Sequence, residues 1–272
     1  MKIAGIQFAC SENKDENIEK ALQIMDVALK EGARIVCFQE MFNQYWFPKD
    51  RNKDAFLLAD GRNSRVVNIF RKKAKASDAV VLLPLFEKNS ALFFNSCIVI
   101  DADGKISGTY RKIHIPDIPL WEEKYYFSTG NRGLPVFDTR YGKLGVQISW
   151  DNLYPESTRI LALKGAEILF SPTACAFKTQ HIWQTVISGN AITNGLYVMR
   201  INRVGSEHPL DFYGMSFCVN PEGELTGGPT APVDSILLAD IDFEYLKHIR
   251  REWPLMKERK PRFYKEIMKE VL

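Results

Sequence analysis

A chain of 272 residues with 46% hydrophobic content has ample capacity to bury a core, as one large α/β domain or two small ones. Its 36 basic and 33 acidic residues leave a net charge of +3, which excludes a large single-sign field and gives nucleic-acid binding no global electrostatic support. Five scattered cysteines, Cys10, Cys37, Cys97, Cys175 and Cys218, form no CxxC, so neither a zinc site nor a disulfide framework is expected. The first apolar run is too short for a signal h-region, and AVVLLPLF (79–86) is far below a membrane span. The expectation is a soluble, cytoplasmic protein with no membrane partner.

In chain order, KIAGIQF (2–8) reads as a strand, and Ile18, Leu22, Met25 and Leu29 recur at helical spacing until Gly32 ends the helix. ARIVCF (33–38) is the next strand. The amphipathic stretch SRVVNIFRKKAKA (64–76) leads to the strand AVVLLPLF. A hairpin follows: FFNSCIVI (93–100), the turn DADG, then KISGTYRK (105–112). The second half repeats this order with the strand KLGVQIS (143–149), a helix from Pro155 to Gly165, the strand EILFSP (167–172), a helix over 181–195, and the strand LYVMRIN (196–202). It closes with a hairpin of GMSFCVN (214–220), the turn PEGE, and ILLADI (236–241).

The runs NSCIVIDADGKISG and MSFCVNPEGELTG are alike, which argues for two similar halves. Helices on one face of each sheet leave its other face apolar. Packing those faces together gives a four-layer α-β-β-α sandwich in a single α/β domain, 1–272. The hairpins, and too few βα units, exclude a (β/α)8 barrel. The basic tail, about 251–272, reads as a solvated or subunit-contact segment.

Ligands of such sheets bind beyond the carboxyl ends of parallel strands. Glu40 follows ARIVCFQ, Ser149 follows KLGVQI, Thr173 follows EILFSP, and Lys112 ends the first hairpin. An acid, a lysine and a nucleophile-like hydroxyl therefore reach loop mouths from distant parts of the chain. Among the aromatics near these ends, Tyr45 and Trp150 are the choices for a substrate pocket, with Thr173 beside them. HExxH, Walker and GxGxxG motifs are missing, so no metal and no cofactor are expected.

Three blocks, QEMF (39–42), YRKIHIP (110–116) and GVQISWDNLYPE (145–156), together resemble the signature blocks of the nitrilase superfamily of carbon-nitrogen hydrolases. VFDTRYGKLGV, ALKGAEILFSPTA and FYGMSF extend the resemblance over nearly the whole chain. HIPDIPLWEEKYYF and ISWDNLYPE look closest to the N-carbamoylputrescine amidase and β-ureidopropionase branches. The resemblance implies that Glu40 is a general base, that Lys112 and the backbone N–H of Trp150 stabilise an oxyanion, and that Glu123 is the second glutamate found in many members. It also implies a small-molecule substrate and a homodimer or larger homo-oligomer.

The family nucleophile is a cysteine, and its position falls on Ser149. A thiol near pKa 8.5 can be ionised by a neighbouring carboxylate and cation, whereas a serine hydroxyl needs a stronger activating base. No GxSxG elbow is present, and His114, His181, His208 and His248 have no place in the family constellation. Three explanations compete: a deliberate Cys-to-Ser replacement, a natural pseudoenzyme serving as a binding or scaffold protein, and a natural serine hydrolase. The retained Glu40, Lys112 and Glu123 favour the first. The expected reaction of the cysteine form is hydrolysis of an N-carbamoyl amine, an N-carbamoyl amino acid or a linear amide through a covalent acyl- or carbamoyl-cysteine. A nitrile is the alternative substrate.

Overall fold

The computed structural model describes residues 1–176 and 179–270. The first half runs β1 (Lys2–Gln7), α1 (Lys14–Lys30), β2 (Ile35–Phe38), α2 (Arg65–Ser77), β3 (Val80–Asn89), β4 (Leu92–Ile100) and β5 (Ile106–Arg111). A one-turn helix, α3 (Glu123–Tyr126), precedes β6 (Phe137–Thr139) and β7 (Gly142–Val146). The second half continues with α4 (Pro155–Leu163), β8 (Ile168–Thr173), α5 (Gln180–Asn194), β9 (Tyr197–Asn202), β10 (Val204–Glu207) and β11 (Leu210–Tyr213). It ends with β12 (Phe217–Val219), β13 (Leu225–Gly227), β14 (Ser235–Asp240) and α6 (Phe243–Glu252).

Helix α1 starts where the Asn13 side chain accepts the N–H groups of Asp15 and Glu16, two acids that also suit the positive end of the helix dipole. Its Ile18, Ala21, Met25 and Ala28 recur on one face and bury against Ala4 and Ile6 of β1, beside Val66, Val67, Phe70 and Ala74 of α2. The intervening β1 residues point the other way, as strand alternation requires. A Cβ on Gly5 would stand 2.7 Å from Ile201 Cγ1 of β9, so the two sheets approach closely there. Helices α4 and α5 cover the far face of the second sheet, giving the expected four layers.

The sheets are six-stranded, in the orders β14-β1-β2-β3-β4-β5 and β13-β12-β9-β8-β7-β6. This corrects the reading of the last hairpin. Residues 225–227 form the partner of β12, while ILLADI crosses to the first sheet and pairs antiparallel with β1, Lys2 opposite Asp240. Alternating apolar residues identify a strand, not its neighbour; here β14 covers what would otherwise be the exposed edge of β1. β6 does the same for β7, so the two halves remain equivalent.

The chain leading into the basic tail is also folded. Asp242 caps α6, Leu246 and Ile249 are buried, and Arg250 donates to the carbonyls of Ala166 and Gly195. Beyond it Trp253, Phe263, Ile267 and Met268 are exposed. Among the described residues, no helix is long and apolar enough to cross a membrane.

Candidate active site

Glu40 lies two residues beyond β2, on a backbone held from both sides. Gln39 acts as an extra peptide group: its Oε1 accepts the Phe8 N–H at 2.6 Å and its Nε2 donates to the Phe8 carbonyl at 2.7 Å. Arg203, fully buried after β9, donates from Nη2 to the carbonyls of Glu40 (3.1 Å), Met41 (2.8 Å) and Gln44 (3.0 Å). Its Nη1 donates to Glu207 Oε1 at 2.6 Å, and the other oxygen of Glu207 accepts the Trp46 N–H. The β10–β11 ribbon thus clamps the Glu40 loop. Met41 at its apex adopts φ 47°, a left-handed conformation that needs such support.

Lys112 is fixed at the end of β5 by its N–H bond to the Asn95 carbonyl, and its own carbonyl accepts from Gly130. A Cβ on Gly130 would lie 2.1 Å from the Arg111 carbonyl oxygen, so only glycine lets the 113–130 segment return this closely. That segment carries Glu123. Lys112 Nζ donates to Glu40 Oε1 at 3.0 Å and to Glu123 at 2.9 and 2.7 Å. Asn95 Nδ2 also donates to Glu40 Oε1, at 2.7 Å. All three charged side chains are buried.

Two carboxylates around one ammonium make an unbalanced cluster. Burial alone would pull the Lys112 pKa down, but Glu123 and Glu40 outweigh it and hold the ammonium well above its ordinary value. For Glu123, burial and the Glu40 charge prevail over Lys112 and push its pKa up to about 7. The second oxygen of Glu40, Oε2, is buried and has no hydrogen-bond partner among the described residues. The arrangement offers one carboxylate lone pair to an incoming proton, beside a cation held in its charged form.

Ser149 follows β7 at the start of a short 3-10 helix (Ser149–Leu153), with φ 47°. A non-glycine residue in this region is a mark of over-determined backbone. Asp151 and Asn152 supply the determination. Asp151 is fully buried: Oδ2 accepts the Ile148 N–H (3.0 Å) and the Tyr110 hydroxyl (2.6 Å), while Oδ1 accepts the His114 N–H (3.0 Å) and lies 2.8 Å from His114 Nδ1. Asn152 Nδ2 donates to the Ser149 carbonyl at 2.8 Å and to Ser171 Oγ at 2.7 Å. Because Tyr110 lies two residues before Lys112, Asp151 ties the Ser149 turn to the lysine strand. Ser149 lines a cavity of about 220 Å³ with Trp150, Pro116, Trp121, Cys175 and Trp183.

The residues chosen from sequence therefore fall into four places. Glu40, Lys112 and Glu123 form one hydrogen-bonded cluster. Ser149 and Trp150 share the cavity wall. Thr173 is buried with Oγ1 donating to the Ser171 carbonyl at 3.0 Å, and Tyr45 packs at the edge of an aromatic cluster that includes Trp46, Phe47, Trp121 and Tyr126. Asn95, Asp151, Asn152, Arg203 and Glu207 were not singled out from the sequence. Only Asp151 and Asn152 had a signal, since both lie inside the GVQISWDNLYPE block. Among the described residues, no group of three or more His, Cys, Asp or Glu is placed to hold a metal ion.

Comparison with known proteins supplies the context for this geometry. A family model described as carbon-nitrogen hydrolase matches residues 2–251. The N-carbamoylputrescine amidase of Arabidopsis thaliana is 35% identical over 282 residues, covering 98% of this chain and 94% of its own. A citrullinase of Francisella tularensis is 37% identical over 281 residues, covering 99% and 98%. The crystal structure of a carbon-nitrogen hydrolase from Helicobacter pylori, 35% identical, superposes with a TM-score of 0.95 over 100% of both chains.

Proposed function

The chain belongs to the carbon-nitrogen hydrolases, the amidohydrolases of the nitrilase superfamily, and we propose that its site hydrolyses an N-carbamoyl compound or linear amide when residue 149 is cysteine. The observation that carries this reading is Glu40: one oxygen is held by Lys112 and Asn95, and the other is buried without a partner. A structural carboxylate would have both oxygens bonded. A general base needs one to spare.

In the proposed reaction Glu40 takes the proton of a thiol at position 149, and sulfur bonds to the carbonyl carbon. Lys112 and the Trp150 N–H receive the oxyanion; losing one such donor costs ~2.7–4 kcal/mol. Collapse breaks the C–N bond, and the amine or ammonia leaves with the proton from Glu40. Water then gives a proton to Glu40 and attacks the thioester carbon, which restores the thiol and releases the acid. Ser149 lacks the acidity for the first step, so the chain with serine is a form that holds substrate without turnover. The names of the two curated relatives support an N-carbamoyl compound over a nitrile.

Ammonia release decides the matter, measured for this chain and its Ser149→Cys variant on N-carbamoyl amines, N-carbamoyl amino acids, aliphatic amides and nitriles. Turnover by the cysteine form alone is expected. Silence of both forms across the panel overturns the reading, and equal rates would make serine the nucleophile.

A further inference from the structure

Among the described residues, three arginines are fully buried: Arg111, Arg200 and Arg203. Two have carboxylate partners, Glu87 for Arg111 at 2.7 Å and Glu207 for Arg203 at 2.6 Å. Arg200, on β9, has none among the described residues. Its Nη2 donates to the Tyr213 hydroxyl at 2.9 Å, while Nε and Nη1 are buried with no hydrogen-bond partner. A guanidinium cannot shed its proton at any ordinary pH, so this is a buried charge whose counter-charge is missing.

The cation is enclosed by the rings of Trp183 (4.7 Å), Tyr213 (5.6 Å) and Phe217 (6.0 Å). Two of these lead to the cavity at Ser149. Trp183 is part of the cavity wall, and Tyr213 lies beside Cys175, another wall residue. The reacting carbon must sit at residue 149, so the rest of a linear substrate runs along the remaining wall, which includes Ile118, Leu153, Ile182 and Trp183. No described residue of that wall is charged. A substrate ammonium would find no carboxylate there, and would face the Arg200 charge behind one indole. A substrate carboxylate would supply the missing counter-charge across a wall where screening is weak.

We infer that Arg200 is a specificity-determining residue that selects substrates whose end distal to the reacting carbon is anionic, as in a ureido acid. This rests on the proposed function in taking the cavity at Ser149 as the substrate site.

The test uses binding to the chain as it stands, with serine at 149, by isothermal titration calorimetry. Three ureas of matched length differ only in the distal group: 4-ureidobutyrate, butylurea and N-carbamoylputrescine. Affinity should fall in that order, with the acid about 10-fold tighter than butylurea, the effect expected for one weakly screened charge. Arg200→Met should narrow the acid-to-butylurea ratio to within about twofold, and Arg200→Lys, which keeps the charge, should retain part of it. Equal or tighter binding of the carbamoylated amine overturns the inference without any variant having to fold. So does an acid preference that survives in Arg200→Met, or failure of all three ligands to bind. A tightly bound acid that Ser149→Cys does not hydrolyse would sink the proposed function while leaving this selectivity standing.

Discussion

Arg111 and Lys112 follow one another at the end of β5, and both are buried against acids, yet their surroundings differ. Arg111 meets one carboxylate, Glu87, through two parallel bonds of 2.8 and 2.7 Å; Ser96 also donates to Glu87, and Asn131 accepts from the third Arg111 nitrogen, Nη1, at 2.7 Å. The charges cancel. Although burial alone would raise it, Arg111 and Ser96 hold the Glu87 pKa below the usual carboxylate range. Lys112 meets two carboxylates, one of which is pushed up to about 7, and Glu40 Oε2 is left over. A pair that is saturated can only hold the fold together. A cluster with surplus charge and an unused lone pair can exchange a proton.

The sharpest way to separate the two is to neutralise one acid in each. Glu40→Gln, made in the Ser149→Cys background, removes the base and should lower turnover by about 10²–10⁴-fold. Because it also relieves an excess negative charge, the melting temperature should hold or rise. Glu87→Gln should do the opposite: it strands a buried guanidinium and should cost about 3–5 kcal/mol in denaturant unfolding. Comparable stability losses in both variants would erase the distinction between a structural pair and a working cluster.

Much of this contrast was legible in the sequence and some was not. Glu40 and Lys112 stood out because each sits at a strand end in a block whose residue types have a chemical reading, Glu123 was reached only through the family resemblance, and the apolar periods of α1 and α2 indicated which faces are buried. The partner of ILLADI did not show, because alternation is the same whichever sheet a strand joins. Nor did the Arg203–Glu207 clamp. VGSE has no apolar alternation to mark it as a strand, and the carbonyls Arg203 holds lie some 160 positions away in the chain. Glu87 and Arg111 were hidden for the same reason: a charged residue inside a strand reads as solvent-facing until its partner across the sheet is known. Long-range polar pairing is invisible to local pattern, whereas catalytic blocks are local.

The remaining difference between the two clusters is their response to pH, which Glu123 carries. Its pKa is about 7 in the folded protein against an ordinary value of 4.5, so between those values the folded state keeps a proton that the unfolded state releases. The stabilisation from that proton is complete below about pH 4.5 and is lost as pH rises through about 7. Glu123→Gln removes the titration. The stability of the parent minus that of Glu123→Gln should therefore fall by on the order of 3 kcal/mol between about pH 4 and about pH 8. Taking the difference cancels the carboxylates remote from this cluster, which titrate alike in both proteins. Glu87 supplies the control with the opposite sign: its lowered pKa stabilises the fold at neutral pH and that contribution fades as pH falls. A parent-minus-variant difference that is flat, or that rises with pH, would mean that Lys112 has captured Glu123 as fully as Arg111 captures Glu87, and the lysine cluster would then be a second structural ion pair.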